Sequence, residues 1–263
     1  MRTIRPLMIK LWSLSLAIFL VAGALDAANL HTIIICDTYA ENIGDSVEAD
    51  LNRVRAEIHR AAFYTKLNVR EKIFIDYQVD ENVLQWLKNY EVSKDDVVFI
   101  FFSGHGYRTD SKTDNTWPNL YFTPVNRGVD FHQLTQIIQN KSPKLMIAIA
   151  DCCNNVLSEA YAPHLMKAHP LALSYHKPNV KNNYEKLFLH SYGSLIASSS
   201  TPGEYSWGTK SGGLFTLALF DSLDHEVNSF NPSWDVLLTR AQKTVLDREV
   251  GQTPQYESSV KPK

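Results

Sequence analysis

The chain has 263 residues, 44% of them hydrophobic, and carries 26 Lys and Arg against 28 Asp and Glu for a net charge of −2. That length and apolar content suffice for one continuous core, so disorder is not the default expectation. There is no block of basic residues to track a phosphate backbone, so nucleic acid is not an expected partner.

The first segment reads as a targeting signal. Arg2, Arg5 and Lys10 precede an uncharged run from Leu11 to Leu25 that is too short for a comfortable membrane span. Ala22-Gly23-Ala24 supplies the small-residue cut, and Ala27-Ala28 a second one a few residues on. A signal over 1–24, or to 28 with the later cut, predicts an exported protein, periplasmic or secreted, with no stable membrane insertion after cleavage. Anchoring by an uncleaved segment is the alternative. No cysteine follows the apolar run directly, so a lipid anchor is not expected, and without 1–24 the net charge is −5.

From His31 onward, short β-branched runs alternate with helical patterns, as in a sheet covered on both faces. Thr32–Ile35 predicts the first strand. In 45–63, Val47, Leu51, Val54, Ile58 and Ala62 recur at helical spacing. Lys72–Val79 predicts a second strand, 81–90 a helix, and 96–102, apolar without alternation, a buried parallel strand. Asn119–Pro124 suggests a small strand or turn, Phe131–Asn140 a helix and Leu145–Ala150 the fourth sheet strand. The stretch 155–186 lacks periodicity and reads as a long surface loop with Lys167, Lys177, Lys181 and Lys186. Ser194–Ala197 resumes the sheet, helices follow over 213–227 and 234–247, and 255–260 closes with a strand. One α/β domain over 29–263, with a mostly parallel sheet of about six strands, accounts for the chain.

In such sheets, ligands collect beyond the carboxyl ends of the strands. Two motifs sit there: Ser103-Gly104-His105-Gly106 and Asp151-Cys152-Cys153-Asn154. A histidine and a cysteine at neighbouring strand ends can activate a thiol, and the flanking glycines leave room for a substrate carbonyl near the Gly106 amide. The cysteine count is odd, Cys36, Cys152 and Cys153, so at least one thiol is unpaired. Taken singly, each motif also fits a turn histidine and a buried cysteine pair.

Together these residues resemble the metacaspases and bacterial caspase-like peptidases of the caspase clan, which carry Ser-Gly-His-Gly after one strand and Asp-x-Cys after the next. Ala197-Ser198-Ser199-Ser200, Gly212-Gly213-Leu214-Phe215-Thr216 and Gln252-Thr253-Pro254 extend the likeness over nearly all of 31–260. The resemblance implies a three-layer sandwich with a mostly parallel six-stranded sheet. It also implies a cysteine endopeptidase in which Cys153 is the nucleophile, His105 the acid and base, and the Gly106 and Cys153 amides hold the oxyanion.

The family's acidic pocket for Arg or Lys before the cut matches Asp50, Ser103 and Asp151. Asp50 is equally ordinary on a solvated helix face, and Arg53 and Arg55 are the basic residues near it. Asp151, beside the cysteine, is expected to need a cationic partner if buried. The stretches 114–119 and 154–159, where many metacaspases hold calcium, have too few carboxylates for a strong oxygen cage. His132, His164, His169, His176, His190 and His225 lack zinc-ligand spacing, so no metal and no cofactor are expected. Peptide or protein substrates are the expected partners. The alternative is a catalytically silent fold that binds peptides in the same groove. The 155–186 stretch resembles the segment where some family members cut themselves.

Overall fold

The computed structural model describes residues 28–80, 82–156 and 179–263. The expected signal segment and most of the 155–186 stretch, including Lys167 and Lys177, lie outside the described residues.

Five parallel strands form the frame: β1 (Asn29–Cys36), β2 (Asn68–Ile75), β3 (Val97–Ser103), β7 (Leu145–Asp151) and β8 (Ser191–Ser198). With antiparallel β11 (Gln255–Ser258) the order across the sheet is β11-β8-β7-β3-β1-β2, and β12 (Lys261–Pro262) adds a seventh strand on β8. A side sheet of β4 (Gly106–Tyr107), β5 (Asn119–Phe122) and β6 (Arg127–Asp130) rises from the end of β3.

The central strands bury both faces, and successive side chains divide between two cores. Val97, Phe99 and Phe101 pack with α1 (Gly44–Thr65), α5 (Leu214–Val227) and α6 (Trp234–Leu246); Val98, Ile100 and Phe102 pack with α2 (Asn82–Asn89) and α3 (Phe131–Gln139). Each such Phe or Ile contributes about 1.5–3 kcal/mol of burial. The helices begin and end where their local chemistry directs. Asp130 caps α3 by accepting from His132 N at 2.9 Å, and α1 stops at Lys66, whose left-handed backbone lets its amide bond Ala62 O.

Two sequence expectations need correction. The second strand runs 68–75 rather than 72–79, because Asp76 turns the chain with φ +51° and its carboxylate accepts Thr38 N at 2.7 Å. The 155–186 stretch is not all loop: α4 (Val180–Tyr184) leads into a π-helical turn, Glu185–Leu189. Tyr184, Leu187 and Phe188 are buried there, and Lys181 pairs with Glu185 at 3.4 Å. Among the described residues no helix is long and apolar enough to cross a membrane.

Candidate active site

The strand register sets the geometry. Cys36, Ser103 and Asp151 face one another across β1, β3 and β7 at the carboxyl edge of the sheet. His105 and Cys153 each follow that level by two residues, so they emerge at equal height from adjacent strands. Both line one cavity with Asp50, Ser103, Asp151 and Ser206.

Glycine at 106 is required by packing. A Cβ there would lie 2.4 Å from the Cys153 carbonyl oxygen and 2.5 Å from Cys152 Sγ. Tyr121 N donates to His105 O at 2.9 Å, which makes Gly106 and Leu120 a non-hydrogen-bonded pair and leaves the Gly106 N–H out of the β4–β5 ladder.

The His105 ring meets the Glu41 carbonyl through Nε2 at 3.2 Å. A carbonyl only accepts, so Nε2 carries the proton and Nδ1 is the free base. Burial lowers the imidazole pKa from its ordinary value, against the opposing pull of the Glu41 carbonyl and the charges of Asp37 and Glu41. Asp37 is fully buried, with neither carboxylate oxygen hydrogen-bonded among the described residues.

The vicinal cysteines differ. Cys152 is buried on the α2–α3 side of the sheet, whereas Cys153 is half-buried. Ser199 and Ser200 fix the Cys152 peptide: Ser199 Oγ accepts from Cys152 N and donates to Cys152 O, both at 2.9 Å, and Ser200 Oγ donates to the same oxygen at 3.0 Å. Ser206 then holds the Cys153 sulfur, donating N–H to Sγ at 3.3 Å and accepting from the thiol at 3.7 Å. Gln252 steadies that strap through Ser199 O, Ser206 Oγ and Trp207 N. Burial pushes the Cys153 thiol up to about 11, opposed by the Ser206 amide and assisted by Asp151. The resting pair is therefore neutral thiol and neutral imidazole.

Asp50 and Asp151 sit side by side at the amino end of α5. Asp50 accepts Ser103 Oγ at 2.8 Å and Gly213 N at 3.0 Å; Asp151 accepts Ser206 Oγ at 2.8 Å, Thr216 N at 2.9 Å and Thr216 Oγ1 at 2.6 Å. Asp50 is 1% exposed, which rules out the solvated-face reading. Burial, then the neighbouring Asp151 charge, raises its pKa well above the carboxylate range. Among the described residues Asp151 has no cationic partner of the kind expected from the sequence; neutral donors and a helix N-terminus hold it instead. Gly213 is tied to this arrangement, since a Cβ there would lie 2.2 Å from Asp151 Oδ2. Arg53 bonds Ser211 O, Arg55 pairs with Glu71, and among the described residues no Arg or Lys lines the cavity.

The stretches 114–119 and 154–156 meet around the buried Arg108. Its guanidinium donates to Asn154 Oδ1 at 3.1 Å, Asn115 O at 2.9 Å and Trp117 O at 3.2 Å, and its amide bonds Asn155 O. Among the described residues no group of three His, Cys, Asp or Glu could hold a metal ion.

Sequence reading missed Glu41, which acts through its carbonyl, and Arg108. It also missed Ser206, which has no motif around it. A lone Arg after Ser-Gly-His-Gly-Tyr was the one available signal for Arg108.

A search of the curated proteins finds no match. Among solved structures, the chain resembles caspase-1 from Spodoptera frugiperda, with TM-score 0.55 and 17% identity over 88% of this chain and 86% of that one. It also resembles protein GSU0716 from Geobacter sulfurreducens, with TM-score 0.54 and 11% identity over 87% of this chain and 92% of that one. The family model of the caspase domain matches residues 31–263. With that match spanning the sheet, both motifs and the pocket, the chain belongs to the caspase domain family of cysteine peptidases.

Proposed function

We propose that the protein is an active endopeptidase that cuts after Arg or Lys, with Cys153 as nucleophile and His105 as acid and base. One observation carries the reading: a half-buried cysteine, a neutral imidazole and two buried carboxylates line a single cavity with no Arg or Lys among its described lining. An acidic side chain before the cut would meet the Asp151 carboxylate and the Asp50 carboxyl group with no cation to pair with, while a guanidinium or ammonium would be charge-paired by them.

In the reaction, Cys153 Sγ attacks the scissile carbonyl carbon as its proton passes to His105 Nδ1. The carbonyl electrons move onto an oxyanion held by the Gly106 and Cys153 amides. The imidazolium then gives the proton to the leaving amine as the C–N bond breaks, and the acyl group remains on sulfur. Water, deprotonated by the same imidazole, hydrolyses the thioester and restores the thiol.

Hydrolysis of matched fluorogenic peptides ending in Arg, Lys or Asp tests this reading. Arg and Lys peptides are expected to exceed the Asp peptide in kcat/KM by at least about tenfold, or about 1.4 kcal/mol. Faster turnover of the Asp peptide overturns the pocket assignment, and no turnover of any peptide supports the silent peptide-binding fold.

A further inference from the structure

Two exposed tyrosines follow the ends of β1 and β2, along the same edge of the sheet that carries the site. Tyr39 is 67% exposed and Tyr77 79% exposed, with ring centroids 5.8 Å apart in an edge-to-face arrangement. Scattered apolar residues on a surface need no explanation, but these two are held in place. Asp76 Oδ1 accepts Thr38 N at 2.7 Å, Thr38 Oγ1 at 2.9 Å and Tyr39 N at 3.3 Å, so the residues beside each ring are bonded to one another across 38 positions. Asp76 itself sits at φ +51°, a left-handed conformation that costs a non-glycine residue about 1 kcal/mol or more and persists only where its surroundings enforce it.

The position of the pair follows from the sheet. Along the carboxyl edge the order is β7, β3, β1, β2, so Cys153, His105, Tyr39 and Tyr77 follow one another in that sequence. The acyl half of a cut peptide stays on Cys153, and His105 hands the proton to the leaving amine, so the departing half lies on the His105 side. Strands are about 4.8 Å apart and an extended peptide advances about 3.3 Å per residue. From β7 to β1 and β2 is thus about 10–14 Å, the reach of the third and fourth residues after the cut. Glu41, on the Tyr39 loop, disfavours an acidic side chain at that place.

We infer that Tyr39 and Tyr77 form a subsite for an aromatic or large apolar side chain three or four residues downstream of the cleaved bond. This rests on the endopeptidase reading above, with the dyad as assigned there. Two rings already at edge-to-face distance can admit a third ring or a Leu without rearrangement, and their own loops need no further ordering.

The test uses internally quenched peptides with a single Arg at the cut and Phe, Leu, Gly or Glu at the third or the fourth downstream position, together with an Arg aminomethylcoumarin amide that has no downstream residue. In the wild type, Phe or Leu at one of these positions is expected to exceed Gly about fivefold in kcat/KM, with Glu below Gly. In Tyr39→Ala and Tyr77→Ala the Phe-to-Gly ratio should fall toward one, and Tyr39→Phe and Tyr77→Phe should keep it. The ratio is taken within each variant, so a general change in activity cancels. Equal rates for all downstream residues in the wild type, or a preference that survives the double Ala variant, overturns the subsite. Failure to cut the coumarin amide and every peptide refutes the endopeptidase reading itself.

Discussion

The segment bearing Cys153 and the segment bearing His105 leave adjacent strands at the same height, yet they are held very differently. Around Cys153 the peptide is gripped by Ser199, Ser200, Ser206 and Gln252 through short bonds that all converge on residues 152–153 or on the strap beside them. Among the described residues the His105 ring has one hydrogen-bond partner, the Glu41 carbonyl at 3.2 Å, carried on a loop that is itself pinned by Asp76 from the end of β2. Cys153 is fixed by its immediate frame, His105 by a chain of two dependencies. Side chains that touch Cys153 should therefore act on chemistry or selectivity directly. Those behind His105 should act through its orientation and proton affinity.

The sharpest break comes at sulfur. Cys153→Ala is expected to lower kcat by at least about a thousandfold with the fold intact by circular dichroism, whereas Cys152→Ala keeps most of the activity. Equal loss in both variants would show that the accessible thiol was misassigned.

Next in size is the acidic pair. Asp151→Asn should reduce the Arg-over-Asp preference by about tenfold in kcat/KM, and Asp50→Asn should reduce it too while raising thermal stability at neutral pH. The sign follows from the raised pKa of Asp50. Between the usual carboxylate pKa near 4 and the raised folded value, the folded chain holds a proton that the unfolded chain has lost. Stability therefore falls as pH rises through that window, and the deficit remains above it. Asparagine can accept from Gly213 N and donate to Ser103 Oγ, so the substitution removes the deficit without orphaning a partner. The melting-temperature gain of Asp50→Asn should grow from pH 4 upward, each kcal/mol giving about 2–4 °C. A lower melting temperature at pH 7 would contradict the buried-charge account.

Legibility in the sequence follows the same division. The parallel sheet was readable because Val97–Phe102 and Leu145–Ala150 are unbroken apolar runs, and the site because Ser-Gly-His-Gly and Asp-x-Cys are contiguous. Asp50 was recoverable only through the family likeness, since its burial depends on α1 packing over the start of α5. Backbone partners leave no residue signature, so Glu41 was invisible. The helix at Val180–Tyr184 was missed because its period is interrupted by a π turn, and Ile75 ends β2 early because Asp76 is claimed by Thr38.

Smaller effects lie on the His105 side. Asp76→Ala should lower kcat about three- to tenfold with little change in KM, because it frees the loop that orients the ring. With burial lowering the imidazole pKa and raising the thiol, the acidic limb of kcat/KM should fall below the ordinary histidine value near 6.5, with activity persisting into alkaline solution. Asp37→Asn removes a charge that favours the imidazolium and should move the acidic limb lower still. An acidic limb that moves upward in this variant would exclude Asp37 from the electrostatics of the base.

The central claim, a His105–Cys153 dyad served by an acidic pocket, is tested most directly by labelling with an electrophilic peptide ending in Arg and mapping the modified residue by mass spectrometry. The account predicts one modification per chain, on Cys153, lost in His105→Ala and slowed in Asp151→Asn. An Asp-ended analogue should react more slowly by at least about tenfold. Modification at Cys152 or Cys36, or equal labelling by the Arg and Asp reagents, would contradict it.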